Sequence, residues 1–556
     1  MPTWRPLSAL GLIWSLAACD SCTSKPAPSM SPTRFVDEQA DGVVEIRDLE
    51  VLVRAKAKAV EHLGRVVTRE QLRILEHELE LSLGFDPTTA EGLEKAGLRR
   101  HASIAIQLAD GGRSALWVVP IADAGVFTKT VDRIVRSRAT VDEVQPFDTE
   151  AGRGQRFIAQ FGPRTIVVAA TATYRDHALI GVGRQAEALV VRALEVVKAE
   201  ASSIEAHPAY ARLTEELGRS WELRFVAPRG RQVLSRLIAM TGELLPDVQA
   251  LGRLELSRVQ SVGGAVDFRD MRAVVRGRIE LDPEGRSQVQ RVFAAPVEEP
   301  GPVVAIDVPE AVVYVQAAGQ AASFLEVAFP PGSPGRDRVV HIFTRVNRMT
   351  GVDVPVDLIP FLDGHAALSL GLRDLTGVAL GALRSDPWAA LWVTASAGFT
   401  NPRTVKELQA RIEPRLTEQS IVKQPREVEG RTIQTWKRTE SSRAFAETLE
   451  QDRAWIVGTE PRVMDEIARF GSAKASTARK TSFVSPGLLI EVRFQALSRA
   501  LDRLRLGVLP LLYRSILGKA LDLIRILDRA VLHVRPAVDG IEVDGELSLA
   551  GAGSAS

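Results

Sequence analysis

Four groups of residues in this chain have types and spacings that could do chemistry. The first is Gly181-Val182-Gly183-Arg184-Gln185-Ala186, between a predicted strand and a predicted helix. Glycines so placed can let a pyrophosphate approach a helix N-terminus. A second turn, Val457-Gly458-Thr459-Glu460-Pro461, keeps the strand and the helix but loses the glycine spacing. A tight strand-to-helix turn accounts for both stretches, whereas nucleotide binding accounts for one. The second group is the eight histidines, His62, His77, His101, His177, His207, His341, His365 and His533. No two have a metal-ligand spacing with a third ligand nearby, so no metal is expected. His101 and His365 each stand just before a strand, where a hydrogen bond that completes the turn is expected ahead of a general base. The third group is Glu222 with Arg224 and Glu491 with Arg493. Each pair lies two apart on a strand and shares a face, which reads as a solvated face with cross-strand ion pairs, or alternatively as a ligand-binding face. The fourth is Cys19, a thiol directly behind Leu16-Ala17-Ala18. No Gly-x-Ser-x-Gly elbow, Gly-Lys-Ser/Thr phosphate loop or His-Glu-x-x-His pair occurs. No catalytic, metal or cofactor-binding residue is therefore assigned.

The segment before Cys19 gives that thiol its context. One basic residue, Arg5, precedes an apolar run through Leu7, Leu10, Leu12, Ile13, Trp14 and Leu16. The run is about twelve residues, enough for a signal-peptide core and short of the roughly twenty that a membrane span needs. Leu16-Ala17-Ala18-Cys19 resembles the lipobox of bacterial lipoprotein precursors. That resemblance implies cleavage after Ala18, lipid attachment at Cys19, and acyl chains holding the mature protein at a periplasm-facing membrane surface of the cell envelope. Asp20 matches the inner-membrane retention signal of the same family and tilts the expected location from the outer to the inner membrane. Residues 21–33 are rich in Ser, Thr, Pro, Ala and Lys and read as a flexible spacer. With Cys19 lipidated, Cys22 has no disulfide partner within the chain.

The rest of the chain must position whatever the anchor carries. With 556 residues, 45% hydrophobic and 25% charged, it can bury a large core and form more than one domain. Seventy basic and sixty-nine acidic side chains leave a net charge of +1, which supplies no global field for nucleic acid.

Short motifs return in order. Gly84-Phe85-Asp86 recurs as Gly351-Val352-Asp353, His101-Ala102 as His365-Ala366, and Ala115-Leu116-Trp117-Val118 as Ala390-Leu391-Trp392-Val393. Glu222-Leu223-Arg224-Phe225 recurs as Glu491-Val492-Arg493-Phe494, and Leu234-Ser235-Arg236 as Leu497-Ser498-Arg499. Ordered recurrence predicts a duplicated unit. Within it, hairpin strands separated by helices predict an α+β fold: two tandem duplicated domains, each a largely antiparallel sheet with packed helices. The expected division is a signal peptide over 1–18, a tether over 19–34, a first repeat over 35–282, a linker over 283–302, a second repeat over 303–550 and a disordered tail over 551–556. Asn401-Pro402 and Thr128 are the expected starts of the helices that follow the first hairpins. Trp117 and Trp392 are read as core residues of matching strands.

The most apolar stretch is 497–532, with Gly507 and Pro510 breaking it into two helices. It reads as a core-facing helix pair, with an apolar ligand groove or a bilayer-resting helix as the alternative. The leading expectation is thus a non-enzymatic, lipid-anchored envelope protein that binds a protein partner or serves as a structural component, with no cofactor and no nucleic acid. A carrier of a lipid or other apolar ligand comes second, and an enzyme of unknown type third. The opening of the second repeat, Val308-Pro309-Glu310-Ala311-Val312-Val313-Tyr314, is similar to bacterial envelope domains of unknown function, a resemblance that carries no site residues.

Overall fold

The structure is a computed structural model. It describes residues 30–50, 53–54, 80, 85–86, 89–199, 201–235, 258–269, 272–294, 306–329, 331–332, 334–373, 390–440, 444–451, 454–470, 479–480, 486–502 and 524–550. The chain is α+β, its strands paired antiparallel, and it divides into two compact units that meet in sequence at Asp282 and Pro283.

In the first unit, β1 (Gly42–Ile46) is followed by α1 (Ala90–Lys95), the hairpin β2 (Ile104–Ala109) and β3 (Ser114–Pro120), and α2 (Ala124–Arg138). A meander follows, β4 (Glu143–Thr149), β5 (Gly152–Phe161), β6 (Arg164–Tyr174) and β7 (His177–Val182), then α3 (Ala186–Val197) and α4 (Pro208–Glu216). β8 (Leu223–Ala227), β9 (Val259–Arg269) and β10 (Arg272–Leu281) close the unit. Antiparallel pairing gives the order β4-β5-β6-β7-β3-β2-β1-β8-β9-β10.

Both faces of that sheet are covered. Val43 packs with Phe35, Leu116, Leu179 and Leu213 on one side. Its neighbour Val44 packs with Ile104, Phe127, Val131 and Phe157 on the other. All five residues of β1 are therefore buried, the charged Glu45 included, and the in-and-out alternation that a half-exposed strand would show is absent.

The second unit begins with α5 (Pro283–Val292). Ten residues of the linker expected over 283–302 thus form a helix: Pro283 at the first turn is compatible with a helix start, because the amide it lacks is unpaired there anyway. A two-residue strand, β11 (Ile306–Asp307), precedes β12 (Val313–Ala318), α6 (Ala321–Ala328), α7 (Pro334–Thr350), β13 (Leu362–Leu372) and β14 (Leu391–Phe399). Next come α8 (Pro402–Glu418), β15 (Ile421–Val428), β16 (Arg431–Arg438), β17 (Ala444–Gln451), β18 (Ala454–Gly458) and α9 (Pro461–Arg469). The two-residue β19 (Arg479–Lys480) pairs with β11, and β20 (Gly487–Arg493), α10 (Phe494–Asp502), β21 (Leu527–Ala537) and β22 (Gly540–Leu549) complete the unit. Its large sheet runs β15-β16-β17-β18-β14-β13-β12-β20-β21-β22. Strand for strand, this is the pairing order of the first unit.

Residue by residue, the motifs do not all fall in register. Trp117 lies opposite Ile106 of β2 and Ile180 of β7. Trp392 lies opposite Gly371 of β13, two residues before the first β14 residue that pairs with β18. Its indole fills the space of a side chain at Gly371, where a Cβ would sit 2.2 Å from the ring. Trp392 is buried and Trp117 partly so, both within cores.

The helix starts divide. Asn401 caps α8 as expected, its side chain accepting from the Arg403 amide at 2.9 Å, with Val405 and Leu408 on the buried stripe. Thr128 does not cap α2. Asp123 does, accepting from the Val126 amide at 2.9 Å, while the Thr128 hydroxyl donates to the Ala124 carbonyl inside the helix. An aspartate before the first turn competes better for the free amides, and it also suits the helix dipole.

Candidate functional site

Cys19, expected to carry the lipid, Ala18, expected to precede the cleavage, and Cys22 lie outside the described residues, as do His62, His77, the tail over 551–556 and 503–523, the middle of the apolar 497–532 stretch. The other six histidines, the Gly181–Ala186 turn and the charged strand pairs are described.

The Gly181–Ala186 turn is a packing device. A Cβ on Gly181 would stand 2.0 Å from the Ala186 carbonyl oxygen, and one on Gly183 would stand 2.4 Å from the Arg113 oxygen. Gly183 also has φ +92, a conformation other residues adopt at a cost. The glycines thus let β7 turn into α3 against the end of β3, where the Gln185 amide donates to Ser114 Oγ at 3.2 Å. In the second unit Thr459 ties the same turn without the second glycine. Its amide donates to the Val393 carbonyl, and its Oγ accepts from the Val393 amide, both at 3.0 Å.

Both recurring histidines stand beside a carboxylate. His101 Nδ1 is 3.6 Å from Asp48 Oδ2 at the surface. His365 is 4% exposed, its Nδ1 3.3 Å from Asp363 Oδ1, and that same oxygen accepts from the His365 amide at 2.8 Å. This closes a local turn where β13 shifts register between Leu362 and Ala366. A small recess on the same sheet is lined by Ala367, Ser369, Thr394, Ala395, Ser396, Ile456 and Ile467, without His365 or Asp363.

The charged strand residues depart from expectation. Arg224 lies directly opposite Glu45 in the β8–β1 ladder, and the pairing across strands is present. The face, however, is not solvated. Arg224 Nε and Nη2 donate to the two Glu45 oxygens at 3.0 and 2.8 Å, with the side chains only 12% and 9% exposed. Tyr210 of α4 closes over the pair, its hydroxyl donating to Glu45 Oε1 at 3.0 Å. Burial, and then the charge of Glu45, raise the tyrosine's pKa. The guanidinium also lies 4.4 Å from the Trp221 ring centroid, a cation–π distance. Neighbouring Glu222 is pushed up to about 7, first by burial and then by Asp267, against the pull of Arg54 and Arg47. Its Oε2 is buried and makes no hydrogen bond among the described residues.

In the second unit Arg493 turns to its own strand, donating to both oxygens of Glu491 at 2.9 and 3.1 Å and to the Val308 carbonyl at 2.9 Å. A further buried cluster escaped the sequence reading. Glu447 of β17, 2% exposed, accepts from Arg426 at 3.0 and 2.6 Å and from Thr435 Oγ at 3.0 Å. Asp465 of α9 meets the same guanidinium from the helix side. The only sequence signal was an arginine and two acids at unremarkable spacings. Chemically, these clusters lock strands and helices together: every oxygen of Glu45 and Glu447 is held by a fixed donor.

No family model and no curated protein matches the chain. Among solved structures it is distantly similar to crystal forms of TP0453. Form III has 11% identity and a TM-score of 0.25 over 49% of this chain and 90% of the other. Form I has 10% identity and a TM-score of 0.26 over 49% and 89%. Likeness at this level transfers no function. No helix among the described residues is long and apolar enough to cross a membrane.

Proposed function

We propose that the protein is a lipid-anchored component of a bacterial cell envelope, held to a membrane through Cys19, whose two-unit body binds a protein partner or serves as a structural element. The observation that carries this reading is Leu16-Ala17-Ala18-Cys19 behind a short apolar run. The acyl chains of a modified Cys19 would hold the chain at the bilayer, each buried methylene contributing about 0.8 kcal/mol. The body's buried charges support a scaffold role, since Glu45, Arg224, Arg426 and Glu447 are engaged with one another or with fixed neighbours. The shared order of ten strands supports descent of both units from one duplicated ancestor.

The experiment is fractionation of bacteria that express the full chain or its Cys19→Ser variant. The wild-type chain is expected in the membrane fraction, resistant to high salt and released by detergent. The variant is expected to keep its uncleaved leader, because the lipoprotein peptidase requires the modified cysteine, and to lose fatty-acid label. Equal fatty-acid labelling of both chains would overturn the reading. Crosslinking in intact cells is expected to trap a discrete protein neighbour of the wild-type chain.

A further inference from the structure

Amphipathic helices of both units mostly bury their apolar stripe. Val190 and Leu194 of α3, Val405 and Leu408 of α8, and Met464 and Ile467 of α9 are each at most 3% exposed. The pair α6 and α7 is different. In α7 the apolar residues Val339, Phe343 and Val346 follow the spacing i, i+4, i+7, with Val340 and Ile342 flanking them, and none of the five is fully buried. Val340 is 48% and Ile342 57% exposed, and Phe324 of the apolar helix α6 is 53% exposed. The turns that follow α7 add Val356 at 65% and Phe361 at 40%. Most of the large hydrophobic side chains exposed among the described residues therefore fall within the single stretch 321–361. A soluble surface does not ordinarily concentrate apolar groups this way without something to cover them.

The opposite face of α7 is basic. Arg338, His341, Arg345 and Arg348, at spacings of three, four and three, form one stripe along the helix. Arg338, Arg345 and Arg348 make no ion pair or hydrogen bond among the described residues, whereas Arg224, Arg411, Arg426 and Arg493 all do. A helix with a wide apolar face, arginines on the polar face and one acid, Asp337, has the composition of a helix that lies in the interface of an anionic bilayer. There the apolar side chains enter the acyl boundary while the guanidinium groups reach phosphate oxygens.

We propose that α7, with Phe324 of α6 beside it in sequence, is a second membrane contact that rests on a bilayer of anionic lipids. It does not depend on the Cys19 anchor, because its driving groups are all within the second unit. A chain of net charge +1 has no global attraction for such lipids, so the binding is local to this helix.

The test places an environment-sensitive fluorophore at Ile342→Cys in the full chain carrying Cys19→Ser and Cys22→Ser. The same label at Ile166→Cys, an exposed position on β6 of the first unit, is the control. Vesicles of phosphatidylcholine with an equal share of phosphatidylglycerol are expected to shift the emission of the label at 342 to the blue and leave the label at 166 unchanged. High salt, or the triple variant Arg338→Glu, Arg345→Glu, Arg348→Glu, is expected to abolish the shift. No shift at 342, an equal shift at both positions, or an equal shift in vesicles of phosphatidylcholine alone would overturn the proposal. Because Cys19 is absent from this chain, the outcome is independent of whether the anchor is used.

Discussion

Arg224 reaches across the β8–β1 ladder to clasp both carboxylate oxygens of Glu45, in a site closed by Tyr210 and Trp221. A solvated pair would contribute little, about 0–1 kcal/mol. A pair this buried is different: removing one partner leaves an uncompensated charge away from water.

Arg224→Ala and Arg426→Ala are each therefore expected to destabilise their unit by about 3–5 kcal/mol, visible as a lower urea midpoint for that unit's transition. Replacing both partners, as in Glu45→Met with Arg224→Met, is expected to recover much of the loss, because no buried charge is stranded. A double variant as damaged as the single one would argue that packing, and not charge, holds the site.

Glu222 gives a pH dependence with a definite sign. Its carboxyl titrates at about 7 in the fold against an ordinary 4.5. Between those values the folded chain holds a proton that the unfolded chain has lost, so its contribution to stability is full below the unfolded value and declines as pH rises through the folded one. Glu222→Gln is expected to match the wild type at about pH 5 and to exceed it at about pH 8 in urea unfolding. A variant that is less stable at the higher pH would show that the carboxylate is favourably held.

The turn from β7 to α3 separates packing from ligand binding. Gly181→Ala drives a Cβ against the Ala186 carbonyl and is expected to cost about 1–3 kcal/mol. Arg184→Ala, on an exposed side chain in the same turn, is expected to leave the urea midpoint unchanged. The reverse ranking would mean that Arg184 has a structural role the turn geometry does not explain.

The fold was legible where local chemistry and burial agree. The α+β class, the β2–β3 hairpin and the Asn401 cap could be read because turn residues, apolar runs and a capping side chain sit next to one another in sequence. The strands β4 and β15 could not. Each carries a proline, Pro146 opposite Gln155 and Pro425 opposite Gln434, and each has only one fully buried residue. Proline is tolerated there because both strands lie at a sheet edge, a fact of topology and not of local sequence. The same holds for the charged clusters. Glu45 and Arg224 stand 179 residues apart, and nothing near either one signals that α4 will cover them. The repeated tryptophans illustrate the opposite hazard, since matching words at Trp117 and Trp392 occupy different ladder positions.

Whether Cys19 anchors the chain is decided by mass spectrometry of the N-terminal peptide of membrane-extracted protein. The predicted peptide begins at Cys19 and carries a thioether-linked diacylglyceryl group on that sulfur. A peptide that begins elsewhere, or begins at Cys19 with a free thiol, would contradict the anchor.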